Sequence, residues 1–458
     1  MRPLVLRPIQ EPMIAWAREH KRCGIWAGMG SGKTSAMEYT IALLKLLGCV
    51  GDEPWLVLGP MRVARDTWPE DMARWDQFRD LRIVPLVGTP AQRTDRLRAK
   101  ADIFTLSYEL APWLVEQYME RWPFRHVIAD ESDRLKGFRT KQGGQRSRSV
   151  ARIAHNLTDR WINLTGTPSP NGLKDLWGQT WYLDRGARLG TTYSAFLDRW
   201  FRTNPYSRKV EPMPFSEGQI HEALKDICIT IDPHDYYNLK EPIVTIIKVK
   251  MPARARAIYK QLEKELFADL EEHGELEVFN QAALTNKCLQ LANGAVYTEY
   301  PKWAPIHDEK IEALRSIVAE SGASPLLVAY AFKSDLARIK AAFPSAVELS
   351  TSTGMRSFKA GDASIGLAHP MSMGHGIDGL QNVCNILVRF GHDWNLGSRM
   401  QMLERIGPMR QMQAGLDRPV WVYDIVTENT LDEDVIESHA AKRSVQDALL
   451  LAMKRRKS

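Results

Sequence analysis

The stretch AGMGSGKT (27–34) closes the apolar run CGIWA and opens the helical pattern SAMEYTIALLKLLG. No other feature constrains the chain as tightly. Glycines at the end of a strand let the chain turn sharply, so that successive backbone N–H groups point inward, and the following helix offers its N-terminal dipole to the same anion. Gly28, Met29, Gly30, Ser31, Gly32, Lys33, Thr34 and Ser35 thus form a candidate phosphate cradle. Lys33 is placed to reach the β/γ-phosphates, and the Thr34 hydroxyl to ligate Mg²⁺. Gly48 stands where the helix needs a C-cap. The general phosphate-loop pattern has Gly where this chain has Ala27. A glycine-rich turn alone is ordinary loop chemistry. Gly-Lys-Thr running into a helix is what specifies a nucleotide.

At 458 residues the chain has room for two or three domains. Its longest apolar runs, such as LLVAYAF (326–332), are too short to span a bilayer, and the opening MRPLVLRPIQEP has no apolar signal-peptide core. The five cysteines lie far apart with no CxxC pair, which argues for reduced thiols and against a structural zinc. A formal charge of +6 permits a polyanionic partner without requiring one. The basic runs at 139–152 and 454–457 are by themselves solvated surface.

Short apolar segments alternate with helical patterns from residue 24 to about 185: GIWA, PWLVLGP, RIVPLV, DIFTLS, HVIAD and WINLTG. The alternation resumes after Pro305 with PLLVAYA, AVELS, SIGLAHP, CNILVRFG and VWVYDIV. Such a pattern predicts parallel sheets with helices on both faces. Between the two halves, residues 251–292 read as helices, and 186–235 have an irregular period. The expected architecture is therefore two α/β lobes flanking a largely helical middle.

HVIADESD (126–133) is a strand that ends in carboxylates. At the C-terminal end of a parallel strand, Asp130 can hold a Mg²⁺ shell and Glu131 can orient or deprotonate a water. An acidic pair after an apolar run also serves as an ordinary helix start. The upstream phosphate loop favours the catalytic reading. Asp133 completes a D-E-x-D form or is a solvated turn residue. In WINLTGTPSPNGLKDLW (161–177), Thr-Gly-Thr-Pro is taken alone a polar turn with two hydroxyls. Most of the fourteen tryptophans are expected in cores, Trp394 included.

Together these segments resemble superfamily-two helicases. AGMGSGKT matches the A-x-x-G-x-G-K-T form of their first motif, which accounts for Ala27; DESD matches their acidic box and LTGTP their third motif. LRPIQ (6–10) resembles the adenine-reading glutamine segment, which implies nucleotide contacts from Arg7 and Gln10. GPMRVARDTW (59–68) and TLSYE (105–109) resemble successive DNA-backbone segments. GHGIDGLQ (374–381) resembles the fifth motif, and HDWNLGSRMQMLERIGPMRQ (392–411) the sixth with its approach. TGTPSPNGLKDLW and the DWN tripeptide are similar to the Swi/Snf-type double-stranded DNA translocases. The small size and ERIGPMRQ look like compact phage or bacterial members.

The resemblance implies an α/β fold of two RecA-like parallel-sheet lobes with a largely helical insertion. Lobe one would cover 1–235, with an accessory segment at about 186–235. Lobe two would cover 236–458, with the insertion at about 251–300 and motifs five and six within 366–411. It implies ATP and Mg²⁺ as cofactors, the metal held by Thr34 and Asp130. Catalysis would fall to Lys33, Asp130, Glu131 and the sixth-motif arginines. Arg405 fits the first of these, but the second position is Pro408, so Arg410 reaches in or Arg405 acts alone. Nucleic-acid contacts are implied for Arg62, Ser107, Tyr108 and Ser372, with Thr165 and Thr167 coupling them to the acidic box. His375 is either a nucleotide or DNA contact or a satisfied polar residue. The implied protein is a monomer in the cytoplasm of a bacterial or phage-infected cell, acting on duplex DNA, with a separate nuclease or a replication or recombination protein as a further partner. A strand-separating helicase, a restriction-type motor subunit and a nucleotide-gated DNA-binding scaffold stay open.

Overall fold

The computed structural model describes residues 3–28, 30–140, 143–166, 168–169, 172–203, 210–273, 278–299, 301–322, 324–373 and 379–440. Met29, Thr167, His375 with the rest of 374–378, and the basic tail lie outside the described residues. The chain divides into two compact units, Met1–Asn238 and Leu239–Ser458.

The first unit is an α/β lobe built on seven parallel strands: β1 (Arg22–Ala27), β2 (Trp55–Gly59), β3 (Ile83–Pro85), β4 (Ile103–Ser107), β5 (His126–Asp130), β6 (Arg160–Thr165) and β7 (Cys228–Ile231). Their order is β3-β4-β2-β5-β6-β1-β7. The central strands are buried along their whole length, as parallel strands covered on both faces must be, and this is why they show as unbroken apolar runs. Four helices position the site: α1 (Glu11–Glu19), α2 (Lys33–Leu46), α3 (Trp68–Met72) and α4 (Lys174–Asp184). After α2, Gly48 takes φ 63°, a left-handed conformation that ends the helix without a Cβ penalty. Aromatic side chains fill the core, with Trp55, Trp68, Trp161, Trp177 and Trp200 all fully buried.

The second unit holds six parallel strands: β8 (Ile243–Val249), β9 (Leu326–Ala329), β10 (Val347–Glu348), β11 (Ile365–Ala368), β12 (Ile386–Arg389) and β13 (Trp421–Thr427). Their order is β8-β13-β12-β9-β11-β10. The helices that matter below are α5 (Ala253–His273), α6 (Val278–Asn293), α7 (Glu309–Glu320), α8 (Lys333–Ala342), α9 (Leu396–Glu404), α10 (Pro408–Gln413) and α11 (Leu431–Ala440). The helical middle is part of this unit. Tyr259 of α5 and Leu289 of α6 share a core with Leu431 and Val435 of α11, and the Tyr259 hydroxyl accepts the Leu431 N–H at 2.8 Å.

Every apolar segment taken from the sequence as a strand is one. Between the segments read as strands in the two halves, two further strands form. β7 pairs with β1 on the first sheet and β8 pairs with β13 on the second. The fold is two α/β lobes, each with a wholly parallel sheet, and among the described residues no helix is long and apolar enough to cross a membrane.

Candidate nucleotide site

β1 delivers the chain to the loop, and α2 starts at Lys33. Gly30 and Gly32 sit at φ 77° and 83°, so the turn needs residues without a side chain. A Cβ on Gly32 would come within 2.4 Å of Arg7 Nη2 and 2.6 Å of Gln10 Nε2. The Lys33 ammonium folds back onto the loop, donating to the Ala27 carbonyl at 2.8 Å and the Gly28 carbonyl at 3.1 Å. Gln10 is 1% exposed; its amide donates to the Gly32 carbonyl and to Ser35 Oγ, both at 2.9 Å, and its oxygen accepts the Arg7 N–H. In this form Gln10 braces the loop. The Ser31 hydroxyl is fully buried without a hydrogen-bond partner.

These features fit a bound triphosphate. A buried, unsatisfied hydroxyl and a lysine held only by carbonyls are groups that a phosphate oxygen satisfies. Thr34 in the first turn of α2 and Asp130 offer the oxygen ligands that Mg²⁺ takes alongside phosphates and water.

Asp130 ends β5. The register sets Asp130 beside Leu164 of β6 and Leu164 beside Ile25 of β1, so the acid lies two strands, about 10 Å, from the loop's strand on the same sheet edge. Its Oδ2 accepts the Trp68 indole N–H at 2.9 Å, and its carbonyl accepts the Tyr108 hydroxyl at 3.0 Å. Glu131, 8% exposed, adopts φ 56°, a conformation rare for a side chain of its size and one that marks an over-determined position. Asp133 follows in the short helical turn Ser132–Leu135; burial and the neighbouring Glu131 charge push its carboxyl up to about 7.

The nucleic-acid expectations divide. Arg62 and Ser372 are exposed, Ser372 Oγ donating to the His369 carbonyl at 2.8 Å. Ser107 and Tyr108 are 1% exposed and Thr165 is fully buried, so these three side chains lie inside the lobe. Tyr108 is inside because its hydroxyl is committed to Asp130. Arg405 and Arg410 are half-buried. Pro408 takes the first position of α10 after the N-cap Gly407, where its missing N–H costs nothing, so the sixth-motif segment splits into two helices.

Sequence reasoning missed Trp68 and Gln179. Gln179, 1% exposed on α4, accepts the Ser132 hydroxyl at 3.2 Å and donates to the Pro168 carbonyl, joining the acidic box to the Thr-Gly-Thr-Pro turn. The only signal was a polar residue, beside Thr180, in the mostly apolar stretch 176–183 of α4.

The family description SNF2-related domain matches residues 10–293. Protein p41 of Acyrthosiphon pisum secondary endosymbiont phage 1 is 46% identical over 466 residues, covering 100% of both chains. The transcription regulatory protein SNF2 of Saccharomyces cerevisiae is 22% identical over 57% of this chain, and the helicase SWR1 of Candida albicans 26% over 57%. The chain spans 15% and 16% of the length of those two proteins. Among solved structures, the Sulfolobus solfataricus SWI2/SNF2 ATPase core in complex with dsDNA is 18% identical, with 96% of this chain and 91% of that one covered and a TM-score of 0.45.

Proposed function

This chain belongs to the SNF2-related domain family, and on that premise we propose that it is an ATP-driven translocase moving along duplex DNA. Residues 10–293 match the SNF2-related domain. The observation that carries the reading is the placement of the glycine loop and the Asp130–Glu131 pair on one edge of one parallel sheet.

ATP with Mg²⁺ supplies the phosphoryl group and the charge neutralisation that its transfer needs. Lys33 exchanges the Ala27 and Gly28 carbonyls for phosphate oxygens. Thr34 and Asp130 would hold the cation, and the Trp68 indole fixes one oxygen of Asp130. Glu131 orients the attacking water and takes its proton. Arg405 and Arg410 supply positive charge from lobe two, Arg405 carrying the larger share. Arg62 and Ser372 meet the phosphate backbone, contacts that carry no base information, so binding tolerates any sequence and weakens with salt. The 46% identity to a phage protein supports a setting in a bacterial or phage-infected cell.

The test is steady-state ATP hydrolysis with no nucleic acid, duplex DNA, single-stranded DNA and RNA, with Lys33→Ala as the blank. Strong stimulation by duplex that disappears in the blank is the expected result. Preference for single strands or RNA turns the protein into a strand-separating helicase. ATP binding without hydrolysis under any condition leaves only a nucleotide-gated scaffold.

A further inference from the structure

Resting on the function proposed above, we propose that Arg399, through Asp424, is the positioning residue that sets the register of α9 and thereby aims Arg405. Asp424 lies outside the motifs quoted from the sequence, and Arg399 lies in the approach to the sixth, where no role was assigned to it.

The geometry is a buried triad. Parallel pairing of β12 with β13 sets Arg389 directly beside Asp424. The Asp424 carboxylate, 1% exposed, takes Arg389 Nη1 at 3.3 Å and Arg399 Nη2 at 2.7 Å. Burial alone would raise the Asp424 pKa, but the two guanidiniums hold it below the ordinary carboxylate range, so it is the fixed charge of the group. Arg389 is committed to the sheet. Arg399 is the one member on α9, and it ties that helix to β13.

Met402 and the following Ile406 reach the core with Leu387 and Val422, and beside them a small open cleft of about 20 Å³ is lined by Ala329, Arg389, His392, Arg399, Met402 and His439. Polar contacts restrain the first turn of α9 as well. Asn395 caps the helix by accepting the Ser398 N–H at 3.0 Å, and Ser398 Oγ lies 3.2 Å from Met371 Sδ, beside Ser372. Arg405 is the residue at which α9 ends. It lies six residues beyond Arg399, about 9 Å along the axis, and a slip of one residue turns it by about 100°. A misplacement of about 1 Å at a reacting centre can cost about 10²-fold in rate.

Asp424→Asn would leave two buried guanidiniums without their counter-charge and risks unfolding, so the test starts from Arg399, whose loss leaves Arg389 paired. Four variants are compared with the full-length wild type in duplex-stimulated hydrolysis: Arg399→Met, Arg399→Lys, Arg405→Ala and Arg399→Met combined with Arg405→Ala. Expected for Arg399→Met is a kcat lower by about 10- to 100-fold with the KM for ATP within about twofold, since the nucleotide loop is on the other lobe. Arg399→Lys keeps the charge but loses the planar fork and should fall between. The double variant should be no slower than Arg405→Ala alone, because a misaimed arginine and an absent one are the same defect. Multiplying losses in the double variant overturn the proposal, as does a wild-type kcat in Arg399→Met; in both cases the translocase reading stands. A wild type that hydrolyses nothing overturns both together.

Discussion

The two lobes share a wholly parallel sheet, yet each sets its candidate chemical groups in a different way. Lobe one does it with backbone. Gly30 and Gly32 at positive φ shape the loop, Asp130 stands at a strand end, and Glu131 is held in a left-handed turn. Lobe two does it with buried side-chain charge, since Arg399 meets Asp424 across 25 residues and Lys310 meets Asp432 where both are fully buried. A site made by the main chain is a local object written in adjacent residues. A site made by ion pairs exists only once the sheet has formed.

The sharpest way to break this comparison is at the charge lobe two contributes. Arg405→Ala should lower duplex-stimulated kcat by about 10³-fold, the lower end for an arginine that stabilises phosphoryl transfer. Arg410→Ala should cost less, because Arg410 rides on the six-residue α10 whereas Arg405 ends the clamped α9. A larger loss from Arg410→Ala would put the finger after Pro408.

Next in size is stability. Lys310, fully buried on α7, donates to Asp432 at 2.7 Å, Asn293 Oδ1 at 2.7 Å and the Phe390 carbonyl at 3.1 Å. It joins α6, α7, the end of β12 and α11. Lys310→Met should destabilise lobe two by about 3–5 kcal/mol, because it strands a buried carboxylate. Adding Asp432→Leu should restore most of that. Thermal unfolding followed separately for each lobe checks both, and lobe one should keep its transition in each variant. A double variant as unstable as the single one would mean that the network, not the charge balance, holds lobe two.

Legibility followed the same division. The loop, the acid pair and the strand runs could be read because a tight turn or a doubly buried strand imposes its demands on consecutive residues. β7 and β8 were passed over because each lies at a sheet edge, where burial is partial; Ile243, Val244 and Ile246 are all substantially exposed. The Trp68–Asp130 contact spans 62 residues and the Ser132–Gln179 contact 47, distances at which no local pattern survives. Tyr108 was expected at the nucleic acid because its segment resembles one that meets DNA. Its burial depends on a hydrogen bond to a carbonyl that the sequence does not display. Arg389, Asp424 and Arg399 looked like ordinary charged residues until strand register set two of them side by side.

The smallest expected effect concerns pH, where Asp133 of lobe one and His392 of lobe two have opposite signs. Asp133 is raised by burial and by Glu131 to about 7 from an ordinary 3.8. Between those values the folded lobe keeps a proton that the unfolded chain releases, so the stability from this group is full at low pH and is lost as pH climbs to about 7. His392 is lowered by burial to about 4 from 6.5, so the unfolded chain takes a proton that the folded lobe refuses, and stability is lost as pH falls from 6.5 toward 4. Asp133→Asn removes a penalty that is largest above pH 7. It should raise the lobe-one transition at pH 8 clearly more than at pH 5, and leave the lobe-two transition unchanged at both. Equal gains at the two pH values would mean that Asp133 ionises at its ordinary pH in the folded lobe. The carboxyl beside Glu131 would then be a solvated turn residue and not part of a buried acidic pair.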